Sequence, residues 1–358
     1  MFGAKMANNE QKTILERRQA ILNFVKARKA VSRDDIQNFI AGNFPQSSKI
    51  TILRDLDWLV TTGEIAKQGK AKQTIYVYLA SPLLDTINVE EYFSRDIDAR
   101  TLISNRFNFA IWDNLHNLLT EKEKAELASK NQQYRTKRAE LPPVAITKEI
   151  ERITIELAWK SSKIEGNTYS LLDTEELIKG GVEAKGKTHY EAIMILNHKK
   201  AIEFIFAEPA HFKQLTLPKI EYLQRLLVTD LDVSFGIRRA RVAIVGTNYN
   251  PLDNLYQIKE AMEQMVAVVN ATENPVEKAL IAVSMLSYIQ PFMDGNKRTS
   301  RILGNAILLA HDYCPLSYRS VDESEYKKGI LLFYEQNSIH YFKQLFIAQF
   351  NQAAERYF

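Results

Sequence analysis

Ile289-Gln290-Pro291-Phe292-Met293-Asp294-Gly295-Asn296-Lys297-Arg298-Thr299-Ser300-Arg301 is the stretch around which the rest of the chain is arranged. Before it, Glu277 to Ile289 reads as an apolar helix. After it, Ile302, Leu303, Ala306, Ile307 and Ala310 recur at helical spacing. Pro291 and Gly295 punctuate the gap. The pattern predicts helix, tight loop, helix, with the loop feeding a helix N-terminus.

A helix N-terminus offers unpaired N–H groups and the positive end of a dipole, which together suit an anion. Asn296 could add an amide donor. Arg298 and Arg301 lie three apart, so both guanidinium forks can reach one side of the second helix, and such forks match phosphate oxygens. Asp294 is a hard oxygen ligand beside that cradle, the usual way of holding Mg²⁺. Two readings stay open at this point: a nucleotide polyphosphate site, or a solvated basic turn that caps a helix.

The same residues resemble the signature of the Fic (Fic/Doc) family, His-x-Phe-x-Asp/Glu-Gly-Asn-Gly-Arg-x-x-Arg. Phe292, Asp294, Gly295, Asn296, Arg298 and Arg301 stand at the family positions. The resemblance implies transfer of AMP from ATP to a protein hydroxyl on Ser, Thr or Tyr, the chain's own included. It also implies ATP and Mg²⁺ as cofactors, with Asp294, Gly295, Asn296, Lys297, Arg298 and Arg301 around the nucleotide and Asp294 on the metal. Catalytic roles would fall to Asn296, Arg298 and the residue in the His slot. That slot holds Gln290, and the second Gly slot holds Lys297. A Gln amide does not titrate near neutral pH and cannot serve as a base. A positioned base is worth about 10²–10⁴-fold in rate, so weak or lost activity is expected. The Asn296-Lys297-Arg298 run also resembles the Doc branch, whose members phosphorylate. Gly295 and Arg301 match the AMP-transferring branch instead.

A second match lies upstream. Thr147 to Ile164 reads as a helix, ending in Ser161-Ser162-Lys163-Ile164-Glu165-Gly166-Asn167. This resembles the inhibitory motif of Fic proteins, Ser/Thr-x-x-x-Glu-Gly/Asn. Ser161 and Glu165 share a helix face. The resemblance implies that Glu165 pairs with Arg301 in the space of the ATP γ-phosphate. At its plainest the stretch is a helix end capped by Gly166.

Further out, Ala240-Arg241-Val242-Ala243-Ile244-Val245-Gly246 reads as a strand, with a turn at Tyr249-Asn250-Pro251. It resembles the family's flap, a short hairpin whose edge pairs with the target; Val242, Ala243, Ile244 and Val245 are its residues. The resemblance also implies an aromatic against adenine, for which Tyr326 is the candidate. Gly181 to Thr188 satisfies G-x-x-x-x-G-K-[ST] to the letter. A P-loop needs a buried apolar strand before it. Asp173 to Lys179 is charged and helix-like, so this reads as a Gly-rich turn between helices. Tyr190 to Phe206, Ala210 to Thr229, Leu255 to Val269, Lys327 to Tyr334 and Ile339 to Ala354 complete a mainly α reading.

The first 80 residues differ in character. They hold 13 Lys/Arg against 7 Asp/Glu, a net of +6 in a chain whose total is +4, so the remainder is −2. Helices are expected to about Arg28, from a Ser32 cap through Ile36 and Ile40, and from Ser47-Ser48 to Gly63. Two strands, Glu64 to Lys67 and Thr74 to Leu79, flank a basic turn. Three helices and a hairpin make a winged helix-turn-helix, and Ile50 to Val60 resembles the recognition helix of DeoR-like bacterial regulators. Ser48, Lys49, Thr51 and Arg54 would then face the major groove, and Lys70 and Lys72 the phosphates. DNA and a second copy of the chain are the partners this implies; a protein–protein module is the other reading.

The domains expected are a winged helix at 1–81, a mostly helical stretch at 82–145 and a helical Fic bundle with its hairpin at 146–358. Cys314 is the only cysteine, which excludes an intrachain disulfide and suits a reducing compartment. Met1 to Lys12 has no signal-like apolar run, and no span of about 18 apolar residues occurs, so a cytoplasmic protein off the membrane is expected. Two functions remain: a self-inhibited AMP transferase, or a degenerate nucleotide-sensing or scaffold part of a DNA-binding regulator.

Overall fold

The computed structural model describes residues 2–28, 30–61, 64–69, 73–78 and 81–358, with side chains from residue 13 onward. The chain divides into two units: Met1–Ser81 with Asn117–Ala125, and Pro82–His116 with Glu126–Phe358. Both are described separately.

The first unit runs α1 (Phe2–Arg28), β1 (Ala30–Ser32), α2 (Arg33–Asn43), α3 (Lys49–Thr61), β2 (Ile65–Gln68) and β3 (Ile75–Tyr78). The sheet is antiparallel in the order β1-β3-β2, with Val31 opposite Tyr76 and Ala66 opposite Val77. Ser32 caps α2 by accepting from the Asp35 N–H at 3.2 Å. Ile21, Val25, Ile36, Ile40, Ile52, Leu56, Leu59 and Ile65 close the core. The sequence pattern predicts two strands; the third, β1, is only three residues long and sits beside the Ser32 cap, too short for alternation to show. Gly63, Lys70 and Lys72 lie outside the described residues.

In the second unit, residues 82–116 are largely irregular, and the helix expected over 82–145 is concentrated in the later part of that stretch. Short 3₁₀ turns (Pro82–Leu84, Ile97–Ala99, Phe109–Asn114) and the brief α4 (Val89–Phe93) are all that forms. Phe107, Ile111 and Leu115 are nonetheless buried. The asparagines explain the difference. Asn108 accepts from the Ala110 N–H, and Asn114 donates to the Ala110 carbonyl, so side chains compete for the backbone. The helix α5 (Glu121–Glu140) opens on a Thr120–Glu123 capping box.

The remaining helices are α6 (Pro143–Ile164), α7 (Leu171–Gly180), α8 (His189–Ala207), α9 (Leu217–Val228), α10 (Leu255–Ala271), α11 (Pro275–Ile289), α12 (Asn296–Ala310), α13 (Glu323–Gln336) and α14 (His340–Arg356). The predicted helix from Ala210 starts only at Leu217, because Pro218 lacks the N–H needed to continue a helix from upstream. The Gly181–Thr188 stretch is a turn between α7 and α8, and Thr188 caps α8 in a box with Glu191. Every residue from Val276 to Ile289 is buried, so α11 is the axis of the unit. Gly304 lets α12 approach it: a Cβ there would meet Val283 Cγ2 at 2.6 Å. Residues 240–249 form no strand. Val242 and Ile244 are half-buried and Ala243 and Val245 exposed, but among the described residues no second strand pairs with them. The alternation that signals a strand is present; the hydrogen-bonded partner is not. Among the described residues, no helix is long and apolar enough to cross a membrane.

Candidate functional site

The helix α11 stops at Gln290, which adopts φ 51° and ψ 57° and donates its N–H to the Leu286 carbonyl at 3.1 Å. Pro291 then forbids continuation. Gly295, at φ 80°, is the N-cap of α12 and supplies no side-chain cap. The first N–H groups of α12 are therefore left for another partner.

Asn296 closes the loop between the two helices. Its Oδ1 accepts from the Phe292 N–H and its Nδ2 donates to the Phe292 carbonyl, both at 2.8 Å. The amide expected on a ligand is thus engaged in loop closure. Arg298 is buried, donating to Asp294 Oδ2 at 2.5 Å and to the Leu227 carbonyl at 3.4 Å. Asp294 remains 46% exposed, so one Arg-held carboxylate faces outward from the loop.

Arg301, fully buried, meets the end of α6. Its Nε donates to Ser161 Oγ and its Nη2 to the Ser161 carbonyl, both at 2.9 Å; Nη2 also reaches Glu165 Oε1 at 2.8 Å. Lys297 Nζ stands 3.9 Å from Glu165 Oε2. Burial works to raise the Glu165 carboxyl, but Arg301 and then Lys297 outweigh it and hold the pKa below its ordinary value. Burial also works to lower Arg301, and Glu165 reverses that. Gly166 follows with φ 97°.

Gln290 points inward. Its Nε2 donates to the Ser287 carbonyl at 2.7 Å and to Tyr334 Oη at 3.4 Å. Burial lifts the Tyr334 phenol far above its ordinary pKa, so it offers no base in its place. Tyr326 is buried with its ring centroid 5.4 Å from the Arg301 guanidinium and edge-on to Tyr318 and Phe342. It backs Arg301 rather than presenting an open face to a base.

Two residues escape the sequence reading. Arg238 Nε donates to the Gln290 carbonyl at 2.7 Å and its Nη1 to the Ala240 carbonyl at 2.8 Å; Nη2 donates to Leu252. It ties residues 238–252 to the loop, yet nothing distinguishes it from Arg239 in sequence. His198 on α8 lies 2.9 Å from Ser161 Oγ. A histidine between Asn197 and Lys199 on this helix gives no warning of such a contact.

The DNA-facing candidates lie in the first unit. Lys49 and Arg54 are exposed and Thr51 half-buried, while Ser48 Oγ accepts from the Thr51 N–H and is spent on starting α3. Among the described residues, no cluster of three His, Cys, Asp or Glu could hold a metal. Asp294 alone suits Mg²⁺ only in the manner that ion favours, with phosphates and waters completing the shell.

Residues 214–308 match the model of the Fic/DOC family. Two similar proteins, from Drosophila melanogaster and Drosophila grimshawi, bear the name protein adenylyltransferase Fic; each is 30% identical over 171 residues, 47% of this chain and 35% of the relative. The chain thus spans about a third of the length of these curated relatives. Fic-1 of C. elegans (residues 134–508) superimposes with a TM-score of 0.56 at 20% identity, covering 66% of this chain and 70% of that one. A Fic domain containing signaling protein from Bacteroides thetaiotaomicron gives 0.53 at 22% identity, covering 65% and 97%. At such identities the structural likeness concerns the fold.

Proposed function

From the premise that the chain carries a Fic/DOC family domain, we propose a self-inhibited protein adenylyltransferase whose chemistry is slowed by Gln290. The observation that carries this is the buried Arg301 guanidinium held by Ser161 and Glu165. A carboxylate occupies a cation placed beside an uncapped helix start, where a phosphate would otherwise sit.

In the reaction, a protein hydroxyl oxygen forms a bond to the α-phosphorus of ATP. The bond from that phosphorus to the β-phosphate bridging oxygen breaks, and pyrophosphate leaves. Arg298, the N–H groups of α12 and, once Glu165 withdraws, Arg301 bind and orient the phosphates. Asp294 would hold Mg²⁺, which neutralises phosphate charge when bound. The attacking hydroxyl must also lose a proton, which passes to solvent water because no base among the described residues stands beside it. Gln290 can orient that hydroxyl but cannot accept the proton. The loss expected is about 10²–10⁴-fold relative to a histidine there.

A second reading rests on the first unit. Its order α1-β1-α2-α3-β2-β3 with a β1-β3-β2 sheet supports a winged helix-turn-helix, with exposed Lys49 and Arg54 on α3. On that reading the Fic region senses nucleotide for a DNA-binding regulator of the cytoplasm, and paired half-sites suit a homodimer.

The deciding experiment incubates the Glu165→Gly protein with ATP radiolabelled at the α-phosphate, with and without Gln290→His. Label on protein in the histidine variant, much weaker with Gln290, is the expected result. No label in either, with nucleotide bound, would overturn the transferase and leave the sensor.

A further inference from the structure

His198 is entirely buried on α8, and its ring is committed at both nitrogens. Nδ1 lies 2.8 Å from the Met194 carbonyl oxygen. A carbonyl has no proton to give, so Nδ1 carries the hydrogen. Ser162 Oγ, at 3.3 Å, shares that side. Burial first, then the charges of Arg298 and Arg301, depress the imidazole pKa to about 3, so the ring is neutral at physiological pH. Nε2 is then a bare lone pair facing Ser161 Oγ at 2.9 Å. The Ser161 hydroxyl must donate to it. That leaves the oxygen's lone pairs to Arg301, whose Nε–H arrives at 2.9 Å. The direction of the chain is fixed: Arg301 Nε–H to Ser161 Oγ, Ser161 O–H to His198 Nε2, His198 Nδ1–H to Met194 O.

We infer that His198 is a positioning residue for the polyphosphate: through Ser161 it keeps the Arg301 guanidinium aimed at the site after Glu165 has let go. This rests on the nucleotide reading of the site. Ser161 holds Nε and one Nη2 hydrogen through its hydroxyl and carbonyl, independently of Glu165. Nη1 is buried and without an acceptor in hydrogen-bond geometry among the described residues; on the nucleotide reading it is the donor a phosphate oxygen would take. Without His198, the Ser161 hydroxyl is free to turn its proton elsewhere, and the lone pair that Arg301 uses turns with it. On that nucleotide reading, in which Arg301 takes the terminal part of the phosphate chain in place of Glu165, the effect should fall on ATP and spare AMP.

The test uses the full chain in a Glu165→Gly background and measures binding of ATP and of AMP by titration calorimetry. His198→Leu is expected to weaken ATP about tenfold, with AMP within about twofold. His198→Gln, which restores an acceptor, should recover most of the loss, and in a Ser161→Ala protein His198→Leu should add nothing further. Equal losses for ATP and AMP, or unchanged ATP binding, would overturn the inference. Should His198→Leu fail to fold, Ser161→Ala and His198→Gln carry the same comparison. A nucleotide-free readout separates this inference from the reading of the site: the Arg301 Nε–H proton resonance. It should be protected with His198 and lost to solvent exchange with His198→Leu or Ser161→Ala. Protection retained in both variants sinks the positioning role. Protection lost, in a parent that binds no nucleotide, keeps the positioning of Arg301 and sinks the nucleotide reading.

Discussion

Arg301 and Glu165 sit 136 residues apart and meet at 2.8 Å, the guanidinium fully buried and the carboxylate at the open end of the pair, 20% exposed. The carboxylate is therefore the half that water can draw away. Arg301 is anchored twice by Ser161 and backed by the Tyr326 ring, whereas the Glu165 contacts are to Arg301 and, at 3.9 Å, to Lys297.

Glu165→Gly removes the competitor for Arg301 and leaves a buried cation short of its counter-charge. The nucleotide-free variant should melt lower than the parent. Its ATP affinity should rise at least about tenfold, or about 1.4 kcal/mol, and ATP should raise its melting temperature more than it does the parent's. Equal affinity for parent and variant by titration calorimetry would remove the inhibitory role of Glu165.

The depressed Glu165 pKa gives that contact a pH window. The folded pKa lies below the ordinary 4.5, so the folded state holds the proton less readily than the unfolded chain. The stability this contributes is fully present above about 4.5 and is lost as pH falls through the lower folded value. Parent and Glu165→Gln should therefore differ by a constant amount from pH 7 down to about 5 and converge below that. Thermal melts of the two proteins across pH 3–7 make the measurement; a gap that widens on acidification contradicts the pairing.

Much of this site is visible in the sequence because it is local. Asp294 to Arg301 lie within one loop and two helical turns, so spacing alone places Arg298 and Arg301 on one side. Ser161 and Glu165 share a face for the same reason. What joins them across the chain is not local: the Arg301–Glu165 pairing enters the sequence reading only through family resemblance, and His198 and Arg238 not at all. Their partners are mostly backbone carbonyls, which every residue carries and no pattern marks. The strand expected at Ala240–Gly246 fails in the opposite way. Val242 and Ile244 alternate with Ala243 and Val245 as a strand would, but alternation reports burial, and a strand also needs a neighbour to pair with.

Arg238 offers a clean stability test. Its guanidinium is almost fully buried and serves the carbonyls of Gln290, Ala240 and Leu252. Arg238→Met keeps the stem and removes the donors. Three carbonyls losing a charged donor should cost about 2–4 kcal/mol, a fall of roughly 5–15 °C in melting temperature. Arg239→Met, on an exposed side chain, is the control and should lie within about 0.5 kcal/mol of the parent.

In the first unit, Asp55 is buried and takes Arg17 Nε at 2.5 Å and Arg18 Nε at 2.8 Å. One carboxylate thus binds two cations of α1 to α3. Asp55→Ala leaves Arg17 buried without its counter-charge, a loss of about 3 kcal/mol. Faster amide hydrogen exchange in α1 and α3 is the expected reading; exchange rates matching the parent would mean that the apolar core alone sets this helix pair.

Gly295 carries two separable demands. Its φ of 80° disfavours any residue with a Cβ, and that Cβ would lie 3.1 Å from Val228 Cγ1. Gly295→Ala meets both and should cost about 1–3 kcal/mol. Gly295→Asn adopts the left-handed backbone more readily, yet keeps the crowding. Combining each with Val228→Ala removes the crowding and leaves only the backbone term. The cycle should therefore show favourable coupling with Val228→Ala for both substitutions, and Asn should outlast Ala in the combined background. If Gly295→Ala melts with the parent, α12 does not depend on that backbone conformation, and its uncapped start is set by the Asn296–Phe292 closure instead.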